Sequence, residues 1–370
     1  MRIKYVYPGS PADKAGLVRG YQIIKINGST ALTYDYNSST GTGTNYDFVI
    51  DAYYNSSTIS MTLQKPDNTT FDVTLNTASY TVNPVLKSKV LDLGNGKKIG
   101  YLAFNSFTEL TNAKSYLTTA FSSFTAAGIT DLVVDLRYNG GGAVETSEYL
   151  ANLIVPSAKT GTLMYTYYFN DKLQNDNYPL LAKKFSIDVT KDPGEFKIAN
   201  NQEKFAKVGS LNLSRVFFIV TGSTASASEL TINNLIPEMN VQLIGTTTYG
   251  KPVGFFAISI GSYELYIPEF ETKNSASQGG YYSGMTPGSA TYPGVLAYDD
   301  VTHDFGDPSE SLLARAIAYV NTGSYTTASV PATLSTGKSN QLSEGQINHI
   351  SEAFSRHNVK QLINNKWKKH

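Results

Sequence analysis

The sequence predicts an α/β domain preceded by a small, mostly β module, and three stretches carry that prediction. Residues 215–254, RVFFIVTGSTASASELTINNLIPEMNVQLIGTTTYGKPVG, read as strand, turn, helix and second strand, closing on a Gly-Lys-Pro turn. Val216 to Val220 is a continuous apolar run of the kind found in strands buried on both faces. Asp131 to Leu136 is a second such run, and it enters Gly140-Gly141-Gly142 before an amphipathic helix over Val144 to Ile154. The front of the chain alternates short apolar runs with Pro-Gly, Asn-Gly and Pro-Asp-Asn turns, which is hairpin grammar.

Taken in order, residues 2 to about 83 form the front module. A strand leads to the Pro8-Gly9 turn, a short helix spans Pro11 to Leu17, and a strand ends at Asn27-Gly28. Thr33 to Asn45 is Thr/Ser/Gly/Asn-rich without hydrophobic period and reads as a surface loop. The hairpin from Thr58 to Leu75, turning at Pro66-Asp67-Asn68, closes the module. The second domain, 84–320, opens with a strand over Lys98 to Phe104 and a helix over Phe107 to Ala127, with Leu110, Ala113, Leu117, Phe121 and Phe124 near one face. Residues 156–214 are an insertion with a strand-like run at Leu163 to Phe169, placed to wall a cleft. After the central unit, Phe255 to Ile260 and Tyr263 to Ile267 form a hairpin around Gly261-Ser262, and Pro308 to Tyr319 is the last helix. Residues 321–340 are a Ser/Thr/Gly-rich linker, and 344–367 a helical tail with basic end residues, suited to docking on the body or a second subunit.

The central stretch places Ser226 at a helix N-terminus beside the carboxyl end of a strand, where free backbone N–H groups and the helix dipole favour developing negative charge. A serine nucleophile needs a base, and the stretch offers Lys251 between Gly250 and Pro252. A lysine works as a base only when neutral, which requires burial or crowding by positive potential to bring it down from about 10.4. Each residue also has a plainer role: Ser226 as a helix cap, Lys251 as a solvated turn residue, Glu229 as a complement to the helix N-terminus, Arg137 as a structural ion-pair partner. Three consecutive glycines are entropically costly in a plain turn, but they permit the positive φ and close approach that an oxyanion-binding turn needs. They fit neither Gly-x-Gly-x-x-Gly nor a Gly-Lys-Ser/Thr phosphate loop.

Thirty basic residues balance thirty acidic ones, so net charge suggests no nucleic-acid partner. Without cysteine there is no disulfide, thiol nucleophile or thiolate metal site, and the four histidines are scattered. Neither metal nor cofactor is expected. No run of 18 apolar residues suggests a membrane span. The low charged fraction, 16%, with Tyr, Thr, Ser and Asn in place of charges, is closer to exported than to cytosolic proteins.

The Ser226-Ala227-Ser228-Glu229 string, with Tyr249-Gly250-Lys251 at its spacing and the Asp135-Leu136-Arg137-Tyr138-Asn139-Gly140-Gly141-Gly142 turn before it, resembles the C-terminal-processing (tail-specific) Ser/Lys peptidase family over residues 1 to 320. The front module, through YVYPGSPADKAGLVRGYQIIKINGS, resembles a PDZ domain, with Tyr21 where many relatives have Asp and the residues that would complete the peptide groove absent before Arg2. The resemblance implies a crotonase-like ββα sandwich, Ser226 as nucleophile, Lys251 as general base, Glu229 as the acidic residue that orients the lysine in some members, and an oxyanion hole from the N–H groups of Ala227 and Gly141. Pro237 stands where some members carry an aspartate. An exported, periplasmic-type serine endopeptidase acting on unfolded or C-terminal peptide segments is expected, with export implied although no signal peptide precedes Arg2, so that a chain trimmed at its front is expected. A peptide-binding protein on the same fold without turnover, or a scaffold working through its PDZ-like module and C-terminal helix, are the rival readings.

Overall fold

The computed structural model describes residues 1–326; of the linker expected over 321–340 the first six residues are described and the first two of them still belong to the last helix, while the tail expected over 344–367 lies outside the described residues. The front module comprises α1 (Pro11–Lys14), β1 (Gln22–Ile26), α2 (Thr44–Ile50), β2 (Thr58–Gln64) and β3 (Thr70–Asn76), with the strands antiparallel in the order β1-β2-β3. Helix α2 begins inside the stretch expected to be loop. Its cap is not local: Gly43 offers no side chain, and the Asp35 carboxylate instead accepts from the Asn45 and Tyr46 N–H groups, both at 2.9 Å. Val49 and Ala52 then join Leu17, Ile26, Met61 and Leu63 in the module's own core.

The second domain is built on β4 (Val85–Asp92), β5 (Lys98–Phe104), α3 (Leu110–Ala127), β6 (Asp131–Asp135), α4 (Val144–Ile154), β7 (Leu163–Phe169), α5 (Asp171–Gln174), α6 (Pro179–Phe185), β8 (Gln202–Lys204), β9 (Arg215–Val220), α7 (Ala227–Leu235), β10 (Asn240–Gly245), β11 (Val253–Gly254), β12 (Ile258–Ile260), β13 (Tyr263–Leu265), β14 (Phe270–Asn274), β15 (Gly294–Leu296) and α8 (Ser311–Thr322). A six-stranded sheet has the order β15-β10-β9-β6-β5-β4, parallel except for the β4–β5 pair. Strand β4 was not expected: Lys87, Ser88 and Lys89 interrupt its apolar run, because it lies at a sheet edge. The alternation of β9 explains the layers. Val216, Phe218 and Val220 face the core shared with α3, α4 and α7, whereas Phe217 and Ile219 face α8 through Leu312, Leu313 and Ala316. A four-stranded antiparallel sheet, β11-β14-β7-β8, covers the far side of the first core, where Tyr165, Tyr167, Phe169 and Phe270 are buried.

Helix α3 starts three residues later than the periodicity suggests, because Phe107 is used otherwise: it forms a parallel bridge with Gly142. The hairpin after Phe255 is shorter than expected, pairing only β12 with β13, and its Ile260 and Tyr263 side chains are exposed. The front module seats on the second domain through Arg19, which is 4% exposed. Its guanidinium donates to the His303 carbonyl at 2.9 Å, the Tyr138 hydroxyl at 2.7 Å and Asp299 Oδ1 at 2.8 Å. Tyr7 adds a hydrogen bond from its hydroxyl to Asn105 Oδ1 at 2.6 Å.

Candidate active site

Three turns at the carboxyl ends of the parallel strands meet: 136–143 after β6, 221–226 after β9 and 246–252 after β10. The first two are laced together. Thr224 Oγ1 donates to the Leu136 carbonyl at 2.8 Å, Ala225 N–H to the Asn139 carbonyl at 3.1 Å, Ser228 Oγ to the same carbonyl at 3.0 Å, and the Thr221 hydroxyl to the Arg137 carbonyl. Held this way, Ser226 takes φ 57° and ψ −115°, a conformation costly for a residue with a Cβ and of order 1–3 kcal/mol. It caps α7, so the next amide, Ala227 N–H, opens the helix with no carbonyl one turn back to accept it.

Glu229 is fully buried and binds the third turn to the second. Its Oε2 accepts from Ser226 N–H at 2.9 Å and from Lys251 N–H at 2.8 Å, while Oε1 accepts from Gly250 N–H at 2.7 Å and the Thr248 hydroxyl at 2.5 Å. One carboxylate therefore fixes the backbones of Ser226 and Lys251 to each other. Gly250, at φ 88°, admits no side chain: a Cβ would stand 2.5 Å from the Tyr282 carbonyl oxygen. The Lys251 side chain is half-buried, and Nζ lies 4.6 Å from the centre of the Phe255 ring. Burial pulls the ammonium below its ordinary value, with Glu229 opposing the shift. No hydrogen bond joins Lys251 Nζ to Ser226 Oγ in this state.

The glycine turn presses on the serine. A Cβ on Gly141 (φ 99°) would stand 2.8 Å from Ser226 Cβ and 2.9 Å from Ala227 N, and one on Gly142 would stand 2.0 Å from the Phe107 carbonyl oxygen. The Gly141 N–H itself donates to Asn139 Oδ1 at 2.9 Å. Behind this turn Arg137, 1% exposed, is enclosed by carboxylates: Nη2 meets Asp135 Oδ2 at 2.6 Å, and Nη1 meets Asp299 Oδ1 at 2.6 Å and Glu310 Oε1 at 2.7 Å. It is a structural ion-pair centre, buried away from any substrate.

Among the described residues no group of three or more His, Asp or Glu is arranged to hold a metal ion, and no helix is long and apolar enough to cross a membrane. His303, the only histidine among them, pairs with Asp300 at 2.5 Å. Sequence reasoning brought Ser226, Ala227, Glu229, Gly141 and Lys251 to one place. It overlooked Thr248 and Asn139. Thr248 carries no local signal, since a threonine in a Thr-Thr-Thr run is unremarked until its hydroxyl is seen on a buried carboxylate. Asn139, directly before three glycines, has the Asx-turn propensity that was there to be read.

Residues 98–269 match the family profile described as Peptidase family S41, and residues 2–36 match a PDZ domain profile. A carboxyl-terminal-processing protease from Picosynechococcus is 26% identical over 246 residues, covering 66% of this chain and 49% of the relative. The carboxy-terminal processing protease CtpA of Bacillus subtilis is 28% identical over 243 residues, 66% of this chain and 42% of the relative. The chain thus spans about half the length of the curated relatives it matches. A crystal structure from Bacteroides fragilis assigned to the S41 proteases superposes with a TM-score of 0.63 at 26% identity, covering 86% of this chain and 77% of that one. The resemblance to the C-terminal-processing peptidases holds, and with it the α/β domain behind a PDZ domain.

Proposed function

We propose that this S41-type chain is a serine endopeptidase in which Ser226 is the nucleophile and Lys251 the general base. The observation that carries the reading is the Glu229 carboxylate, which accepts the backbone N–H of both residues and so fixes the two turns side by side. In the proposed reaction Lys251, neutral, takes the hydroxyl proton as Ser226 Oγ bonds to the scissile carbonyl carbon. The oxyanion is received by Ala227 N–H and an N–H of the glycine turn. The tetrahedral intermediate then expels the amine, which leaves with the proton from Lys251, and water hydrolyses the acyl-enzyme by the same relay. Nζ must leave the Phe255 ring for Ser226, a swing the four-carbon stem of lysine permits. Unfolded or C-terminal peptide segments are the proposed substrates, entering as an added strand, and export is the proposed setting, consistent with a surface low in charge and rich in Tyr, Thr, Ser and Asn.

A peptide-binding protein without turnover is the second reading, and the position of Nζ on Phe255 rather than Ser226 favours it. Cleavage of an unfolded protein such as casein by wild type, Ser226→Ala and Lys251→Ala, across pH 6 to 10, separates the two. The peptidase reading expects both variants to lose activity by about 10³-fold or more, and the wild-type rate to rise along one limb centred below the ordinary lysine value of about 10.4. Folded wild type that binds peptide without cutting it sinks the peptidase.

A further inference from the structure

We infer that Phe255 is a positioning residue for Lys251: its ring seats the protonated side chain and releases the neutral one, so the amine reaches Ser226 once it has lost its proton. This rests on the Ser226/Lys251 reading and deepens it. Lys251 Nζ lies 4.6 Å from the ring centre, and among the described residues it makes no hydrogen bond and no ion pair. A half-buried cation with no protein oxygen to meet it has one favourable partner here, the negative face of an aromatic ring. A neutral amine draws no comparable attraction from that face. The seat is therefore linked to the proton.

The ring is a fixed platform, because the chain is anchored on both sides of it. Gly254 pairs with Phe270 across β11 and β14, and a Cβ there would stand 2.2 Å from the Phe270 ring. Phe256 N–H donates to Glu269 Oε2 at 3.1 Å, and the Phe256 side chain is fully buried with its ring 5.7 Å from that of Phe185. Phe255 itself is held from the hairpin, where Tyr266 meets its ring edge-to-face at 5.5 Å. The carboxylates around the seat are engaged elsewhere. Glu229 on α7, whose field favours the ammonium, already takes three backbone N–H groups and the Thr248 hydroxyl. Glu264 on the hairpin accepts from the Tyr266 hydroxyl, and Glu271 on β14 from the Tyr282 hydroxyl at 3.4 Å. Burial works against the proton on Lys251, and the ring works for it, so Phe255 sets where the amine rests and how readily it becomes a base.

The test weakens the face of the ring while keeping its shape. Phe255 is replaced by monofluorinated and then trifluorinated phenylalanine, each fluorine drawing density from the π-face, and by Phe255→Leu, which has no such face. Phe255→Tyr, which keeps it, is the control. Two midpoints are read: the base limb of kcat/KM for a casein-derived peptide across pH 6 to 10, and the titration of Lys251 followed by NMR of lysine carbon-13-labelled at Cε, assigned with Lys251→Gln. Both are expected to fall in the order of fluorination, reaching about 0.5–1 pH unit in Phe255→Leu. Below the limb the neutral fraction grows tenfold per pH unit of that shift, so kcat/KM at pH 7 should rise about three- to tenfold while the plateau above the limb stays put. Midpoints that ignore fluorination, or variants that change only the plateau or the melting temperature, overturn the inference and leave Phe255 a packing residue. The fluorinated pair decides the matter even where Phe255→Leu does not fold. A Lys251 midpoint that follows fluorination in a chain that cuts nothing upholds the seat and sinks the peptidase, whereas Lys251-dependent cleavage with unmoved midpoints sinks the seat alone.

Discussion

Glu269 gives the sharpest quantitative test of the site's surroundings. It begins the turn into β14, is 6% exposed, and its Oε2 accepts from Phe256 N–H at 3.1 Å while Oε1 has no hydrogen-bond partner. Burial pushes the carboxyl up to about 7 from 4.5. Between those values the folded chain keeps a proton that the unfolded chain releases, so stability falls as pH rises through the window and levels off above about pH 7. The full shift corresponds to about 3 kcal/mol at about 1.36 kcal/mol per pH unit. Relaxation of the folded chain around the ionised carboxylate reduces this, so about 1–3 kcal/mol is expected. Urea unfolding of wild type and Glu269→Gln at pH 5, 6, 7 and 8 reads it directly, because the neutral amide cannot titrate. The stability difference between variant and wild type should move in the variant's favour by that amount from pH 5 to pH 8, with the m-value unchanged. Parallel pH curves for the two proteins would refute the reasoning, since they would mean Glu269 ionises as freely folded as unfolded.

The other expectations concern the buried charges and the glycine turn. Arg137→Met leaves Asp135 and Glu310 buried without their cation, and a loss of about 3–5 kcal/mol in urea unfolding is expected. Glu229→Gln turns an amide donor towards backbone N–H groups that now donate to a carboxylate; a fall in kcat of about 10²-fold with retained fold by circular dichroism is expected. Gly141→Ala sets a methyl group 2.8 Å from Ser226 Cβ at a positive φ, so labelling of Ser226 by a serine-directed fluorophosphonate should be lost even where the domain stays folded.

Legibility in the sequence followed locality. Strands β6 and β9 were readable because burial on both faces leaves an uninterrupted apolar run, and α4 and α7 because Gly and Pro bound them. Strand β4 and helix α2 escaped because what stabilises them is elsewhere: a partner strand thirteen residues on for β4, and the Asp35 carboxylate for α2. Ser226, proposed as nucleophile, with Glu229 and Lys251, was readable as a spaced set. The position of Nζ over Phe255 was not, since a flexible side chain's rotamer depends on packing that no spacing encodes.

The three turns of the site share one construction. Each is irregular backbone buried beside the others, so its N–H and C=O groups cannot all be met by helix or sheet. Buried polar side chains meet part of that need in each: Asn139 Oδ1 accepts the Gly141 N–H in the glycine turn, Thr224 Oγ1 accepts the Thr221 N–H in the serine turn, and Glu229 accepts the Gly250 and Lys251 N–H groups in the lysine turn. Apolar residues of equal volume would leave those amides and carbonyls unpaired, at about 1–3 kcal/mol for each. The polar side chains therefore stabilise this irregular backbone over apolar residues in the same places, and they make the strained Ser226 conformation the lowest state available to it. That argument places the sensitivity of catalysis in residues that touch no substrate. Thr224→Val, isosteric but unable to donate to the Leu136 carbonyl, should cost activity more steeply than stability, and equal losses in both would mean the turn is held by packing alone.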